Sequence, residues 1–74
     1  MAILVYSKTN CSACKCTKML LNAFEVAFEE RNVEDSDEYM AEAKATGFSA
    51  MPIIVMENEV LSGHQPAKLE ELFG

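Results

Sequence analysis

The sequence predicts an α/β fold, a four-stranded mixed sheet with three helices in the order β-α-β-α-β-β-α, and three observations carry that prediction. The run Ile3 to Tyr6 is nearly continuously apolar, as a central strand covered on both faces should be. A helical pattern begins at about Ser12 and is followed by a further strand-like segment, so the first helix can serve as a crossover joining two parallel strands. The stretch from Ile53 to Leu61 reads as two short strands folded back at Glu57-Asn58, which adds an antiparallel pair.

Each element has its own justification. After the first strand, Ser7 to Asn10 form a polar loop. In the first helix Cys16, Met19, Leu20, Ala23 and Phe24 fall at i, i+3, i+4, i+7 and i+8, which predicts one apolar face turned to the core. Val26, Phe28 and Val33, set among charged residues, predict a half-buried strand within Val26 to Val33. Asp35 or Ser36 can cap the second helix, and the acids in its first turn complement the positive end of the helix dipole. Met40 and Ala43 mark its buried side, and Gly47 is a left-handed stop before Phe48. Ile53 to Met56 and Glu59 to Leu61 then pair, with Asn58 expected to take the positive φ of a tight hairpin. Ser62-Gly63 breaks the last strand, and Pro66 opens a final helix with Leu69, Leu72 and Phe73 on its apolar side.

The 74 residues, half of them apolar, are expected to form one domain over residues 1–74. No apolar run reaches the length of about 18 residues that a membrane helix needs. The opening Ala2-Ile3-Leu4-Val5-Tyr6 lacks the charged start and cleavage site of a signal peptide. A soluble, cytoplasmic protein is the expectation. Twelve acidic against six basic residues give a net charge of -6, which repels phosphate backbones and anionic lipid. Nucleic acid and membrane are therefore not expected partners.

The chemistry lies in Cys11, Cys14 and Cys16, which sit too close together to staple distant parts of the chain. In a reducing compartment such a cluster points to redox chemistry or metal binding. The predicted order places Cys11 at the strand-to-helix turn, where unpaired amides and the helix dipole stabilise a thiolate, the nucleophile of disulfide exchange. Lys8 and Lys15 can add small Coulombic support. Cys14, one helical turn on, can attack the mixed disulfide that Cys11 forms with a substrate, so the spacing supports a reversible two-electron cycle. Cys16 joins the apolar pattern with Met19 and Leu20 and is read as a buried core cysteine. A three-thiolate zinc or copper site is the competing class, although the lone His64 is far away in sequence. His64 itself is read as a solvated loop residue that can also touch a substrate. The first strand contains no Asp or Glu to act as a base near Cys14, which leaves proton transfer to water.

Tyr6, Cys11-Ser12-Ala13-Cys14, Gly47-Phe48, Met51-Pro52-Ile53 and Ser62-Gly63-His64-Gln65-Pro66 together resemble the glutaredoxin-like NrdH redoxins over essentially the whole chain. Leu61 and His64 stand where that family has aromatic residues. The resemblance implies a minimal thioredoxin fold with a cis proline at Pro52. It also implies a redox carrier with protein disulfide reductase activity that donates electrons to the large subunit of a class Ib ribonucleotide reductase. Recharging by thioredoxin reductase is implied too, with no cofactor beyond the Cys11-Cys14 disulfide, and the protein is expected to be monomeric. Cys11 is then the attacking thiol and Cys14 the resolving thiol. The Met51-Pro52 ledge, with Ser62, Gly63 and His64, is the surface expected to meet substrate. A glutathione-dependent glutaredoxin is the alternative; against it, Ala50, Ser62 and the pair Ala67-Lys68 replace the contacts that hold the tripeptide in those proteins.

Overall fold

A computed structural model describes residues 3–74; Met1 and Ala2, where the opening expected to lack a signal peptide begins, lie outside the described residues. The elements are β1 (Leu4–Ser7), α1 (Ser12–Ala23), β2 (Glu29–Asn32), α2 (Asp37–Ala45), β3 (Ile53–Val55), β4 (Val60–Ser62) and α3 (Pro66–Phe73). They build a four-stranded sheet in the order β2-β1-β3-β4. β1 runs parallel to β2 and antiparallel to β3, and β3 and β4 form the terminal antiparallel pair.

Alternation along the strands divides the core in two. Val5, Ile54 and Leu61 lie opposite one another across β1, β3 and β4. Their face packs against Leu21 of α1 and Leu69 of α3. One residue on, Tyr6 and Ile53 turn to the other face, where Val33 and Ala43 of α2 cover them. Full burial of each such large apolar side chain stabilises the fold by about 1.5–3 kcal/mol. α2 is also fastened to β1 and β2 by polar contacts: the Tyr6 hydroxyl donates to Glu42 at 2.7 Å and Arg31 pairs with the same carboxylate at 2.6 Å.

The apolar face expected on α1 is rotated. Cys14, Thr17 and Leu21 form the buried stripe, Leu20 and Phe24 flank it, and Cys16 and Ala23 are exposed, with Met19 62% accessible. Cys16 is therefore not a core cysteine. The reason lies in Thr17, a polar residue that hydropathy counts as surface: its hydroxyl sits 2.7 Å from Nδ1 of His64, and a satisfied hydroxyl can be buried at little cost. The helix stops at Glu25, which takes φ +58 while the Val26 and Glu25 amides bond back to the Leu21 and Asn22 carbonyls.

The second strand is shorter than the Val26 to Val33 segment and wholly polar. β2 lies at the sheet edge, where charged side chains suit a strand that must not pair with another molecule. Val26 and Phe28 pack against the core before it starts, and Val33 is buried just after it ends. Ser36 caps α2 by accepting from the Glu38 amide at 3.2 Å, and Gly47 has φ +84 beyond the helix end. Asn58 does not take the positive φ expected of it. β3 ends at Val55 and β4 begins at Val60, and a four-residue connection is commonly built on an ordinary type I turn rather than a mirror-image one. In α3 Leu69 is fully buried, whereas Leu72 is exposed. No helix among the described residues is long and apolar enough to cross a membrane.

Candidate active site

The loop between β1 and α1 delivers Cys11 to the helix start. Asn10 adopts φ +57, a conformation Asn tolerates, and Cys11 follows in extended geometry as the N-cap of α1. Its Sγ accepts a hydrogen bond from the Cys14 amide at 3.2 Å, so the sulfur fills the role a serine oxygen plays in other helix caps. Both residues line a hollow of about 720 Å3, shared with Lys8, Asn10, Lys18 and Glu30. All three cysteines are free thiols.

The two thiols of the pair are driven apart. Burial pushes Cys11 up, but hydrogen bonds from the Cys14 thiol and amide, the Lys8 charge and the Ala13 amide together bring it below the ordinary thiol value. Cys14, only 1% accessible, is pushed up to about 11 by burial first and then by its hydrogen bond to Cys11. One proton is thus held at the inner sulfur while the half-exposed outer sulfur ionises. Such a pair can attack an external disulfide and afterwards close on itself.

Before β3, the Met51–Pro52 peptide is cis and Pro52 is buried. The Gly63 amide bonds to the Ala50 carbonyl at 3.1 Å and the Pro52 carbonyl at 2.9 Å, and the Ser62 hydroxyl donates to the Ala50 carbonyl at 2.7 Å. Gly63 sits at φ +79, where any side chain would be strained. Those bonds tie the segment before β3 to the turn after β4.

The sequence pattern of the glutaredoxin family matches residues 3–61. The chain belongs to this family. Within it, the likeness is to NrdH redoxins. The glutaredoxin-like protein NrdH of Lactococcus lactis subsp. lactis (strain IL1403) is 37% identical over 70 residues, spanning 95% of this chain and 97% of that protein. The NrdH-redoxin of Escherichia coli, a glutaredoxin-like protein with a thioredoxin-like activity profile, superposes with a TM-score of 0.90 at 27% identity. It covers all of this chain and 97% of its own. The glutaredoxin of Archaeoglobus fulgidus follows at a TM-score of 0.82 and 26% identity, covering 97% of this chain and 86% of its own. The fold is that of the minimal thioredoxin-like proteins, and with Cys11 and Cys14 at the start of α1 it is a thiol-disulfide oxidoreductase fold.

In this redoxin the residues singled out from sequence do not all meet. Cys11 and Cys14 share one hollow, and Met51 lines a neighbouring one that also touches Lys8. His64 lines a third with the exposed Cys16 and Met19, so Cys16 does not converge with the other two sulfurs. Among the described residues no group of three or more His, Cys, Asp and Glu side chains could hold a metal ion. His64 is exposed yet bonded to Thr17, and so does more than face solvent. Sequence reasoning missed Glu30, a carboxylate in the thiol hollow that comes from β2 rather than β1. Its carboxyl is held below the usual range by the Lys18 ammonium at 2.6 Å and then by the Ser7 hydroxyl at 2.7 Å. Lys18 lies one helical turn beyond Cys14, so its half of the pair was visible in the spacing; the strand register that brings Glu30 alongside was not.

Proposed function

We propose that this redoxin is a cytoplasmic, monomeric dithiol-disulfide electron carrier, supplying the large subunit of a class Ib ribonucleotide reductase and recharged by thioredoxin reductase. The observation that carries the chemistry is the asymmetry of the pair: Cys11 caps α1 half-exposed, its sulfur accepting from the Cys14 amide and shifted below the ordinary thiol value, whereas Cys14 is buried and pushed up to about 11. Cys11 thiolate attacks one sulfur of the partner's disulfide. The partner's other sulfur leaves as a thiolate and takes up a proton. Cys14 then loses its proton and attacks Cys11 Sγ, which breaks the mixed disulfide, releases the partner's second thiol and leaves Cys11 and Cys14 joined. Two electrons have passed to the partner. The reductase returns them by the reverse exchange, and no cofactor besides the pair is required.

Met51 and Pro52 form the ledge for an extended substrate segment, with Ser62 and Gly63 bracing it from behind. His64 keeps that brace against α1 through Thr17. The choice of electron donor rests on the resemblance to NrdH redoxins and on Ala50, Ser62, Ala67 and Lys68, which stand in place of the residues that hold glutathione and supply no carboxylate for its amino group. NADPH oxidation coupled through thioredoxin reductase from the same organism should outpace oxidation coupled through glutathione and glutathione reductase. Rapid recycling by glutathione with none by the matched reductase would place the protein among glutathione-dependent glutaredoxins instead.

A further inference from the structure

The chain carries a net charge of -6, yet its free positive charges are gathered at one place. Of the six basic residues, Lys18 is paired with Glu30, Arg31 with Glu42 and Lys68 with Glu59. The other three, Lys8, Lys15 and Lys44, pair with no carboxylate among the described residues, and all are exposed. Lys8 and Lys15 line the hollow that holds Cys11 and Cys14, and Lys8 and Lys44 line the hollow beside Met51. Four lysines line the two hollows against one lining carboxylate, Glu30, which Lys18 already occupies, and Glu34 stands at the rim, its carboxylate accepting from the Thr9 amide at 2.8 Å. The second hollow has an apolar floor of Val33, Met40, Met51 and Phe48, the last 47% accessible. At about 260 Å3 it lies below the roughly 300–1,000 Å3 of small-molecule sites, a size suited to one apolar side chain.

We infer that the segment reduced by Cys11 is an acidic stretch of polypeptide, with an apolar side chain next to its reactive cysteine that enters the Val33-Met40-Phe48-Met51 hollow. The inference rests on the redoxin reading of the thiol pair and names its substrate class. Charge decides among anionic partners. A nucleic acid or an anionic membrane presents an extended negative surface that would reach past the lysines onto the rest of an acidic protein and be repelled. A single extended strand contacts the lysine collar alone. Its backbone can meet Met51, which makes no backbone hydrogen bond among the described residues. Complementary charge of this kind acts mainly by steering encounter, so its signature is a salt-dependent rate.

The test uses three cysteine peptides of one length, each carried as a mixed disulfide with mercaptoethanol, with acidic, neutral or basic flanks and a leucine beside the cysteine. Reduction rates by the full-length protein are divided by its rate on hydroxyethyl disulfide, so that any general change in thiol reactivity cancels. In low salt the acidic peptide should react about tenfold faster than the neutral one, and the basic peptide slower. The gap should close as the screening length falls from about 30 Å at 0.01 M salt to about 3 Å at 1 M. Lys15→Glu with Lys44→Glu should invert the order, and replacing the leucine by glycine should slow the acidic peptide severalfold. Equal rates for the three peptides, or an order that salt and the charge reversals leave unmoved, would overturn the acidic-segment inference while leaving the redoxin reading intact. Failure to reduce hydroxyethyl disulfide and every peptide would sink both.

Discussion

The hydroxyl of Thr17, fully buried in α1, lies 2.7 Å from Nδ1 of His64, 47 residues later in the chain. This contact joins the helix that carries the thiols to the turn that braces the Met51-Pro52 ledge. His64→Ala leaves the Thr17 oxygen without its partner in the interior, a loss of about 1–3 kcal/mol. Thr17→Val with His64→Ala removes both partners and should recover part of it. Urea unfolding of the two single variants and the double variant reads the coupling; a His64→Ala midpoint equal to that of the wild type would remove the contact from the stability account.

Within the redox pair, reactivity should follow the burial of each sulfur. Alkylation of the reduced Cys16→Ala protein, which lacks the exposed third thiol, should modify Cys11 before Cys14, at a rate that rises with pH through a midpoint below the ordinary thiol value. Cys11→Ser should abolish disulfide reduction, whereas Cys14→Ser should accumulate mixed disulfides with substrate. Peptide mapping that found Cys14 alkylated first would reverse the two roles.

Stability of the reduced protein should depend on pH through Cys14. Its folded-state pKa is raised to about 11, so above the unfolded thiol value of about 8.5 the folded chain retains a proton that the unfolded chain has released. Folding stability then falls as pH rises across that window. Cys11, lowered in the fold, acts below the window, where it adds stability as pH rises. Cys14→Ser removes the titrating thiol, and chemical denaturation between the two pH limits should show a steeper decline in the wild type than in the variant, which keeps only the fall due to the Tyr6 phenol, itself raised by burial and by its bond to Glu42.

The rotated face of α1 separates residues that hydropathy treats alike. Leu21→Ala should cost about 2–5 kcal/mol, because it empties a fully buried site. Met19→Ala and Cys16→Ala, both at exposed positions, should stay within about 0.5 kcal/mol, and Cys16→Ala should keep full dithiol turnover. A thermal melt in which Cys16→Ala unfolds as early as Leu21→Ala would restore the buried reading of that cysteine.

Glu25 ends α1 in the left-handed region, a conformation that costs a residue with a side chain about 1–2 kcal/mol. Glu25→Gly relieves it and should raise stability by about 0.5–1 kcal/mol, the greater flexibility of glycine in the unfolded chain offsetting the remainder. A lower melting temperature in the variant would contradict this.

The order of elements, the strand-to-helix turn at Cys11, a cap at Asp35 or Ser36, the Gly47 stop and the start of α3 at Pro66 were legible in the linear chain, because each depends on residues a few positions apart. Apolar runs, capping side chains and backbone preferences act locally, and they remain readable in a linear chain. The redox pair was legible for the same reason: three residues of spacing and one helix terminus suffice. Tertiary structure alone decided which side of α1 faces inward, since that choice turned on a partner for the Thr17 hydroxyl supplied from beyond β4. It likewise reduced β2 to four polar edge residues, brought Glu30 beside Lys18 through the pairing of β1 with β2, and left Cys16 in solvent near His64. Hydropathy weighs each side chain by its own transfer energy, whereas burial of a polar group is permitted or forbidden by whatever meets it across the fold.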